Sequence, residues 1–139
     1  MEITINRANQ DVLFEVKNAS SATAFVDGAP EIGGVDGGIR PMEMVLAAVA
    51  TCSAFEIVNI LKKQRQPLED LSMTVKGTRE KKGTSKPFAQ IDVAFYITGD
   101  VNAKKAERAA DLAINKYCSA KASLDPAIQV SYSINIEAK

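Results

Sequence analysis

Residues 40–65 read RPMEMVLAAVATCSAFEIVNILKKQR, and this apolar stretch decides the fold. Pro41 suits the first position of a helix, because its missing N–H would lack a helical partner there anyway. Glu43 in the first turn and Lys62 in the last carry the charges that the helix dipole favours, and Pro67 marks the end. The stretch predicts one long helix. Because it is apolar on almost every side, we expect it to be buried all round, in part against a second subunit.

The composition excludes several classes of function. Lys plus Arg and Asp plus Glu both number 17, so the chain lacks the basic surplus that nucleic-acid binding needs, and self-association is not opposed by net charge. There are no histidines, which rules out a Ser-His-Asp triad, a Cys-His dyad and histidine-ligated metals. The two cysteines have no nearby carboxylates at the spacing of a zinc site. We therefore expect neither a metal nor a cofactor.

Targeting signals are not expected either. The start, MEITINRANQ, lacks the apolar segment of a signal peptide. The nearly uncharged run 44–55 is shorter than the ~20 residues that a bilayer span needs, so no membrane partner is expected. These features predict a cytoplasmic protein. In a reducing compartment its two cysteines are expected to be redox-active or simply buried, rather than a permanent disulfide.

Alternating apolar and polar residues predict strands on both sides of the long helix. A second helix, capped by Asp100 or Asn102, follows the fifth strand and ends near residues 116–118. The order β-β-(β)-α-β-β-α-β predicts one α+β domain over residues 1–139, with a mainly antiparallel sheet and helices on one face. The strand stretches are 3–5, 12–16, 22–26 (the weakest), 71–75, 91–97 and 130–136.

Two loops have compositions that could indicate nucleotide or phosphate binding. Residues 27–39, DGAPEIGGVDGGI, contain five glycines but match neither nucleotide-binding spacing, GxxxxGK[ST] or GxGxxG, so we interpret them as a flexible connector that covers a site or an interface. Residues 76–87 contain five basic residues that could bind phosphate. We interpret them instead as a solvated hairpin end whose lysines prevent edge pairing.

Cys52, in the middle of the long helix, has two interpretations. Such a cysteine is often a small buried apolar residue, and it is otherwise a nucleophile. Arg40 lies about 18 Å away along the axis, and Glu56, four residues on, would oppose a negative thiolate. A reactive Cys52 would therefore need a cation from elsewhere in the fold or from a second subunit. The candidates within the chain are Arg7, Arg79 and Lys121.

Cys118 lies at the end of the second helix. If that helix packs across the first, the two sulfurs could meet. A thiolate with a second thiol nearby is the arrangement that reduces peroxides, because the sulfenic acid formed first condenses with the second thiol to a disulfide.

The sequence PMEMVLAA at residues 41–48, leading to Cys52, and the later KYCS at residues 116–119 resemble the OsmC/Ohr family, in particular its YhfA-like branch. The resemblance covers essentially the whole chain. It implies an intertwined homodimer with long central helices. It also implies a Cys-based peroxidase of oxidative-stress defence, which reduces organic hydroperoxides at the expense of thiol reductants. Cys52 would be the peroxidatic cysteine and Cys118 the resolving one.

Some positions depart from the family pattern. Met42 replaces the glutamate that follows the proline in the hydroperoxide reductases, and Glu43, one position later, is the candidate acidic residue. Arg7, in the N-terminal turn, is the candidate for the family's activating arginine, and Arg40 could serve across the dimer. These departures keep an alternative open. The protein would then be a non-enzymatic dimer that binds a small molecule in an apolar cleft between the subunits.

Overall fold

The computed structural model describes residues Met1–Ala138 and divides into two compact units, Met1–Val45 and the chain from Leu46 onward. The predicted α+β fold and element order are confirmed, including the weak third strand. A short third helix precedes the last strand. The elements are β1 (Ile3–Arg7), β2 (Phe14–Asn18), β3 (Thr23–Val26), α1 (Pro41–Lys63), β4 (Asp70–Arg79), β5 (Phe88–Thr98), α2 (Ala103–Leu112), α3 (Ser119–Ala122) and β6 (Gln129–Glu137).

The first unit contains an antiparallel meander in the order β1-β2-β3. Ile5 pairs with Val16, and Phe14 pairs with both Arg7 and Val26, so their side chains share one face of the sheet. Ile3 and Ile5 on this face are 56% and 53% exposed, and Phe14 is exposed as well. An apolar sheet face of this kind normally lies against another layer of the protein.

The glycine-rich loop is organised around the buried carboxylate of Asp27. This carboxylate accepts backbone N–H groups from Gly28, Val35 and Gly37 at 2.8, 2.9 and 3.0 Å. A Cβ atom on Gly34 would lie 1.8 Å from the carbonyl oxygen of Gly28, so only glycine fits where the loop crosses itself. The prediction of a flexible connector missed this anchoring, because it rested on glycine content alone.

The second unit is built on the sheet β4-β5-β6, in which β4 and β5 are antiparallel and β5 and β6 are parallel. The predicted hairpin end between β4 and β5 is confirmed by a bridge between Lys82 and Ser85. The connection through α2 brings β6 in parallel to β5, an exception to the mainly antiparallel pairing. The alternating residues of β5 point into the core, together with the small residues of α2. Fully buried core residues are Ile91, Val93, Phe95, Ile97, Ala106, Ala109 and Ala110.

Helix α1 has one buried face and one exposed face. Val49, Ala50, Ser53, Ala54, Ile57 and Leu61 are buried. The opposite side, which we call the exposed α1 face, consists of Ala47, Ala48, Thr51, Phe55 and Val58. Phe55 is 73% exposed. A single chain therefore leaves one face of α1 uncovered, as expected from its small amount of sheet, and burial of that face against a second subunit stays a prediction.

The length and composition of α1 would also allow it to cross a membrane. The opposite expectation came from considering only the shorter uncharged run 44–55. The core helix of a soluble protein passes the same test.

The second helix begins where the sequence indicates. Of the two predicted caps, Asn102 is the one used, since its side chain accepts the N–H of Lys105 at 3.1 Å. After Leu112 the helix widens into a π-helical segment, Ala113–Tyr117. Cys118 follows directly in an extended conformation and begins α3. Single-turn π segments are common at functional sites, so the position of Cys118 directly after this segment makes it a candidate functional residue.

Replacing Asp27 by Asn tests the loop anchor. The N–H groups of Gly37 and Val35, and then that of Gly28, hold the pKa of Asp27 below its usual range, against the opposite effect of burial. A carboxyl group whose pKa is lower in the folded than in the unfolded protein stabilises the fold at pH values above its unfolded-state pKa. This stabilisation is lost as the pH falls through the folded-state pKa. We expect Asp27→Asn to lower the melting temperature at pH 7, with the difference from wild type narrowing below about pH 4.

Thermal melts followed by circular dichroism measure both effects. Asp36→Asn is the matched control, because it removes the same charge from an exposed position of the same loop. Equal losses in the two variants, or a difference that does not depend on pH, would contradict the anchoring role of Asp27.

Candidate functional site

Cys52 lies at the border between the two faces of α1. Its neighbour Ser53 is buried, whereas Thr51 and Phe55 are exposed, and Cys52 itself is half-buried and unpaired. The thiol is therefore accessible from the exposed α1 face while its backbone is fixed in a regular helix. A nucleophile that meets an external substrate needs this combination of access and fixed position.

Cys118 is buried, with 4% of its surface exposed. Its thiol donates to the carbonyl oxygen of Val49 on α1, at an Sγ–O distance of 3.7 Å. The same sulfur accepts the backbone N–H of Lys121 at 3.3 Å and so caps α3. Both hydrogen-bonding functions of the thiol are satisfied, which fixes the direction of its side chain.

The contact with Val49 brings Cys118 to the turn of α1 that carries Cys52. Val49 lies three residues before Cys52, and residues at this spacing are neighbours on a helix surface. A helical carbonyl points towards the C-terminal end, so the Val49 oxygen lies beside residues 52 and 53. Ser53 Oγ also donates to it, at 2.8 Å. Two cysteines separated by 66 positions (118 − 52) thus belong to one small region of the second unit.

The candidate cations occupy different places. Arg7 Nη1 donates to the Gln10 carbonyl at 3.5 Å within the first unit, and Arg79 Nε donates to the Lys86 carbonyl at 2.7 Å in the β4–β5 hairpin. Lys121 follows Cys118 by three residues, and its ammonium donates to Asn115 Oδ1 at 3.0 Å. Of these three, Lys121 is the one held beside a cysteine.

Glu43 and Arg40 have structural roles at the start of α1. Glu43 Oε1 accepts the backbone N–H of Arg40 at 2.7 Å, which is the reciprocal half of a capping box. The guanidinium of Arg40 contributes, after the backbone N–H groups, to the lowered pKa of Asp27. The catalytic assignments of Glu43, Arg40 and Arg7 stay predictions.

Residues 1–138 contain no group of three or more Cys, Asp and Glu side chains that could hold a metal ion. Sequence reasoning missed the Val49 carbonyl, Ser53 and Asn115. Ser53 could have been noticed, because a serine in an apolar helix usually bonds to the carbonyl four residues before it. The Val49 contact depends on tertiary packing, and local sequence carries no signal for it.

Comparison with known proteins identifies the family of the chain. Residues 34–133 match the family model described as OsmC-like protein. The chain belongs to the OsmC-like family. Protein YhfA of Escherichia coli strain K12 is 36% identical over 99 residues, which cover 70% of this chain and 73% of YhfA.

Solved structures show the same fold. A hypothetical protein from Aquifex aeolicus VF5 superposes with a TM-score of 0.84 at 27% identity, over 99% of this chain and 96% of that one. An organic hydroperoxide resistance protein OsmC from Legionella pneumophila superposes with a TM-score of 0.71 at 20% identity, over 97% of both chains.

Two substitutions at Cys118 test its hydrogen bonds. A serine hydroxyl can both donate to Val49 and accept from Lys121, whereas alanine does neither. We expect Cys118→Ala to lower the free energy of unfolding by about 1 kcal/mol more than Cys118→Ser does. Urea unfolding of the reduced protein measures the difference. An alanine variant as stable as the serine variant would show that the thiol acts by packing alone.

Proposed function

We propose that this protein is a homodimeric, thiol-dependent peroxidase that reduces organic hydroperoxides, with Cys52 as the peroxidatic and Cys118 as the resolving cysteine. The supporting observation is the contact of the Cys118 thiol with the Val49 carbonyl, one turn from Cys52. The related protein from Legionella pneumophila, which carries the name organic hydroperoxide resistance protein, agrees with this chemistry. Residues 1–139 would act as one OsmC-like domain in a reducing cytoplasm.

In the first step the Cys52 thiolate attacks the terminal oxygen of the hydroperoxide. The O–O bond breaks, the alkoxide leaves and takes up a proton as the alcohol, and Cys52 becomes a sulfenic acid. The half-buried position of Cys52 beside Phe55 favours substrates with an apolar group on the peroxide. Activation of the thiol requires a cation, which Arg7, or Arg40 of a second subunit, would supply.

In the second step the Cys118 sulfur attacks the sulfenic sulfur. The S–O bond breaks, water leaves with the thiol proton, and a disulfide joins Cys52 and Cys118. Because Cys118 is buried and hydrogen-bonded, peroxide reaches Cys52 first, and the resolving thiol is protected from direct oxidation. A disulfide requires Cβ atoms about 4 Å apart, which adjacent turns of packed elements can provide after a change of rotamer.

The dimer explains the uncovered apolar surfaces of both units. Ile3 and Ile5 of the meander and Phe55 and Val58 of α1 are exposed, and the balanced charge does not oppose association. The occupant that we propose is a second copy of the chain. Ala47, Ala48 and Thr51 are small enough to let two α1 helices approach closely. Each Cys52 would then lie at the edge of the subunit interface.

Oxidation of the reduced protein with one equivalent of cumene hydroperoxide tests the cysteine roles. We expect wild type to consume peroxide and lose two hydrogens in intact mass. Cys118→Ser should instead gain one oxygen at Cys52, which dimedone traps, because no second thiol condenses with the sulfenic acid. Cys52→Ser should be inert, and with a dithiol present its steady-state rate should fall to background.

Cys52→Ala serves as a second control, since it also removes the thiol but leaves no hydroxyl. If wild type and both Cys52 variants are equally inert, the peroxidase proposal is lost, and the non-enzymatic binding protein becomes the better description. A small molecule that copurifies with the inert dimer would support that alternative.

The interface is tested by Phe55→Glu, which places a charge at the centre of the exposed α1 face. Burying an unpaired carboxylate opposes association, so we expect a dimeric wild type and a monomeric variant. Light scattering coupled to size-exclusion chromatography gives the mass. Tyr96→Glu on β5 is the matched control, because Tyr96 is also a partly exposed aromatic residue but lies outside α1, and this variant should stay dimeric. A dimeric Phe55→Glu variant would place the interface elsewhere.

A further inference from the structure

The β4-β5-β6 sheet has a second face, opposite to the one that lies in the core. Successive residues of a strand point to opposite sides, so Phe95 is buried in the core while Tyr96 points away from it and is 44% exposed. The even-numbered residues of β5 and their cross-strand partners on β4 and β6 form what we call the outer sheet face. Neither cysteine belongs to it, and the proposed peroxidase chemistry leaves it unused.

A cavity of about 230 Å³ opens on the outer sheet face. The register of the strands explains its position, because Ala94 of β5 lies between Thr74 of β4 and Ser133 of β6. Along β5 the neighbours of Ala94 on the same face are Asp92 and Tyr96, and both line the cavity. A methyl group among larger side chains leaves a depression, and its rim carries hydroxyl groups, a carboxylate and an aromatic ring.

The carboxylate of Asp92 is fixed through one of its two oxygens. Oδ1 accepts the Ser131 hydroxyl and the Gln90 amide, the latter at 2.8 Å, and the same amide nitrogen lies 3.3 Å from Ser131 Oγ. In the described part of the chain Oδ2 accepts no hydrogen bond. One oxygen therefore orients the group, and the other is free to accept hydrogen bonds from a ligand.

Lys76 balances the charge of Asp92. The two residues are directly opposite each other in the register of β4 and β5. Ser131 first, then Gln90 and Lys76, hold the pKa of Asp92 below its usual range, so the group is ionised at neutral pH. Within residues 1–138 Lys76 forms no ion pair, which leaves its ammonium donors available. One negative and one positive charge line the cavity, so it offers no net attraction to an anion or a cation.

Tyr96 supplies the aromatic surface of the cavity. The face of an aromatic ring carries partial negative charge, so it attracts the weakly positive C–H groups of a ligand as well as apolar surface. The side chains nearest to it across the strands, Thr74 and Ser133, are short and polar. A ligand that matches these surroundings is neutral, has hydroxyl groups on its edge and has a face made of C–H groups.

We propose that this cavity binds the ring of a neutral sugar, with adjacent hydroxyl groups bound by Asp92 and Lys76 and with its C–H face against Tyr96. A sugar hydroxyl donates to the free Oδ2 of Asp92. The oxygen of the neighbouring hydroxyl accepts from the Lys76 ammonium, and the Thr74 and Ser133 hydroxyls complete the contacts. We call this cavity the sugar site. No thiol takes part, so the proposal does not depend on the proposed peroxidase function.

The size of the sugar site limits the ligand and its affinity. Its volume lies below the usual range of drug-sized sites, so it accommodates a single ring rather than a chain of rings. A small ligand on an open sheet face has few atoms in contact with the protein, and we expect a dissociation constant on the order of 1 mM. Such binding is measured by titration rather than by copurification.

Nuclear magnetic resonance titration of the full, reduced chain tests the sugar site. The probes are the methyl pyranosides of glucose, mannose and galactose, and we expect at least one to shift the backbone amide signals of residues 92–96 and 131–133 in a saturable manner. Sorbitol carries similar hydroxyl groups on an open chain and should bind more weakly, because it has no ring face to lie on Tyr96. Adenosine, which carries the adjacent hydroxyls of a ribose, should also bind more weakly.

Two variants remove the proposed contacts. Asp92→Asn places an amide donor where the free acceptor Oδ2 lies, and Tyr96→Thr removes the aromatic ring while keeping a side chain suited to a strand. We expect each to weaken binding of the preferred pyranoside about tenfold. The matched controls are Asp70→Asn, an exposed carboxylate near the other end of β4, and Tyr117→Thr, a similarly exposed aromatic residue outside the sheet. Both controls should bind as wild type does.

Several results would overturn the sugar site. They are the absence of a saturable shift with all three pyranosides, shifts confined to another part of the chain, and equal weakening in the variants and their controls. Binding of sorbitol as tight as that of the pyranosides would exclude stacking on Tyr96, and tighter binding of adenosine would show that the cavity is a nucleoside site instead.

Discussion

The structure depends on a helix that one chain cannot enclose. The 23 residues of α1 carry apolar side chains around most of the circumference, and burial of this surface is the main force that drives folding. The second unit covers the face that includes Val49, Ile57 and Leu61, and leaves Phe55 and Val58 in contact with water. Such a helix either exposes a large apolar patch or recruits a partner, and soluble monomers rarely tolerate the first.

The half-buried state of α1 determines how accessible the candidate nucleophile Cys52 is. A cysteine in the middle of a fully enclosed helix would be inert, and one on a fully exposed helix would lack a fixed environment. Cys52 lies at the border between the covered and uncovered faces. On the covered side the Val49 carbonyl, three residues before Cys52, accepts the hydrogen bond of the Cys118 thiol.

Much of the fold could be predicted from sequence, because helices and strands depend on local patterns. Pro41 and Pro67 bracket α1, alternation marks every strand except the weak third one, and Asn102 caps α2. The glycine-rich loop was misjudged, since its order comes from one buried carboxylate, and glycine content does not reveal where the three N–H groups of the loop converge. The cysteines were recognisable as a pair, but the contact of Cys118 with Val49 joins residues 69 positions apart and depends on packing.

The two cysteines also have different surroundings, which would separate the two steps of the proposed peroxidase reaction. Cys52 faces the apolar side of α1, where a hydroperoxide with an apolar group would bind and where a partner subunit would exclude water. Cys118 is buried and held by its hydrogen bonds to Val49 and to the backbone of Lys121. In the proposed reaction a hydroperoxide would therefore meet Cys52 first, and Cys118 would react only with the sulfenic acid that forms there.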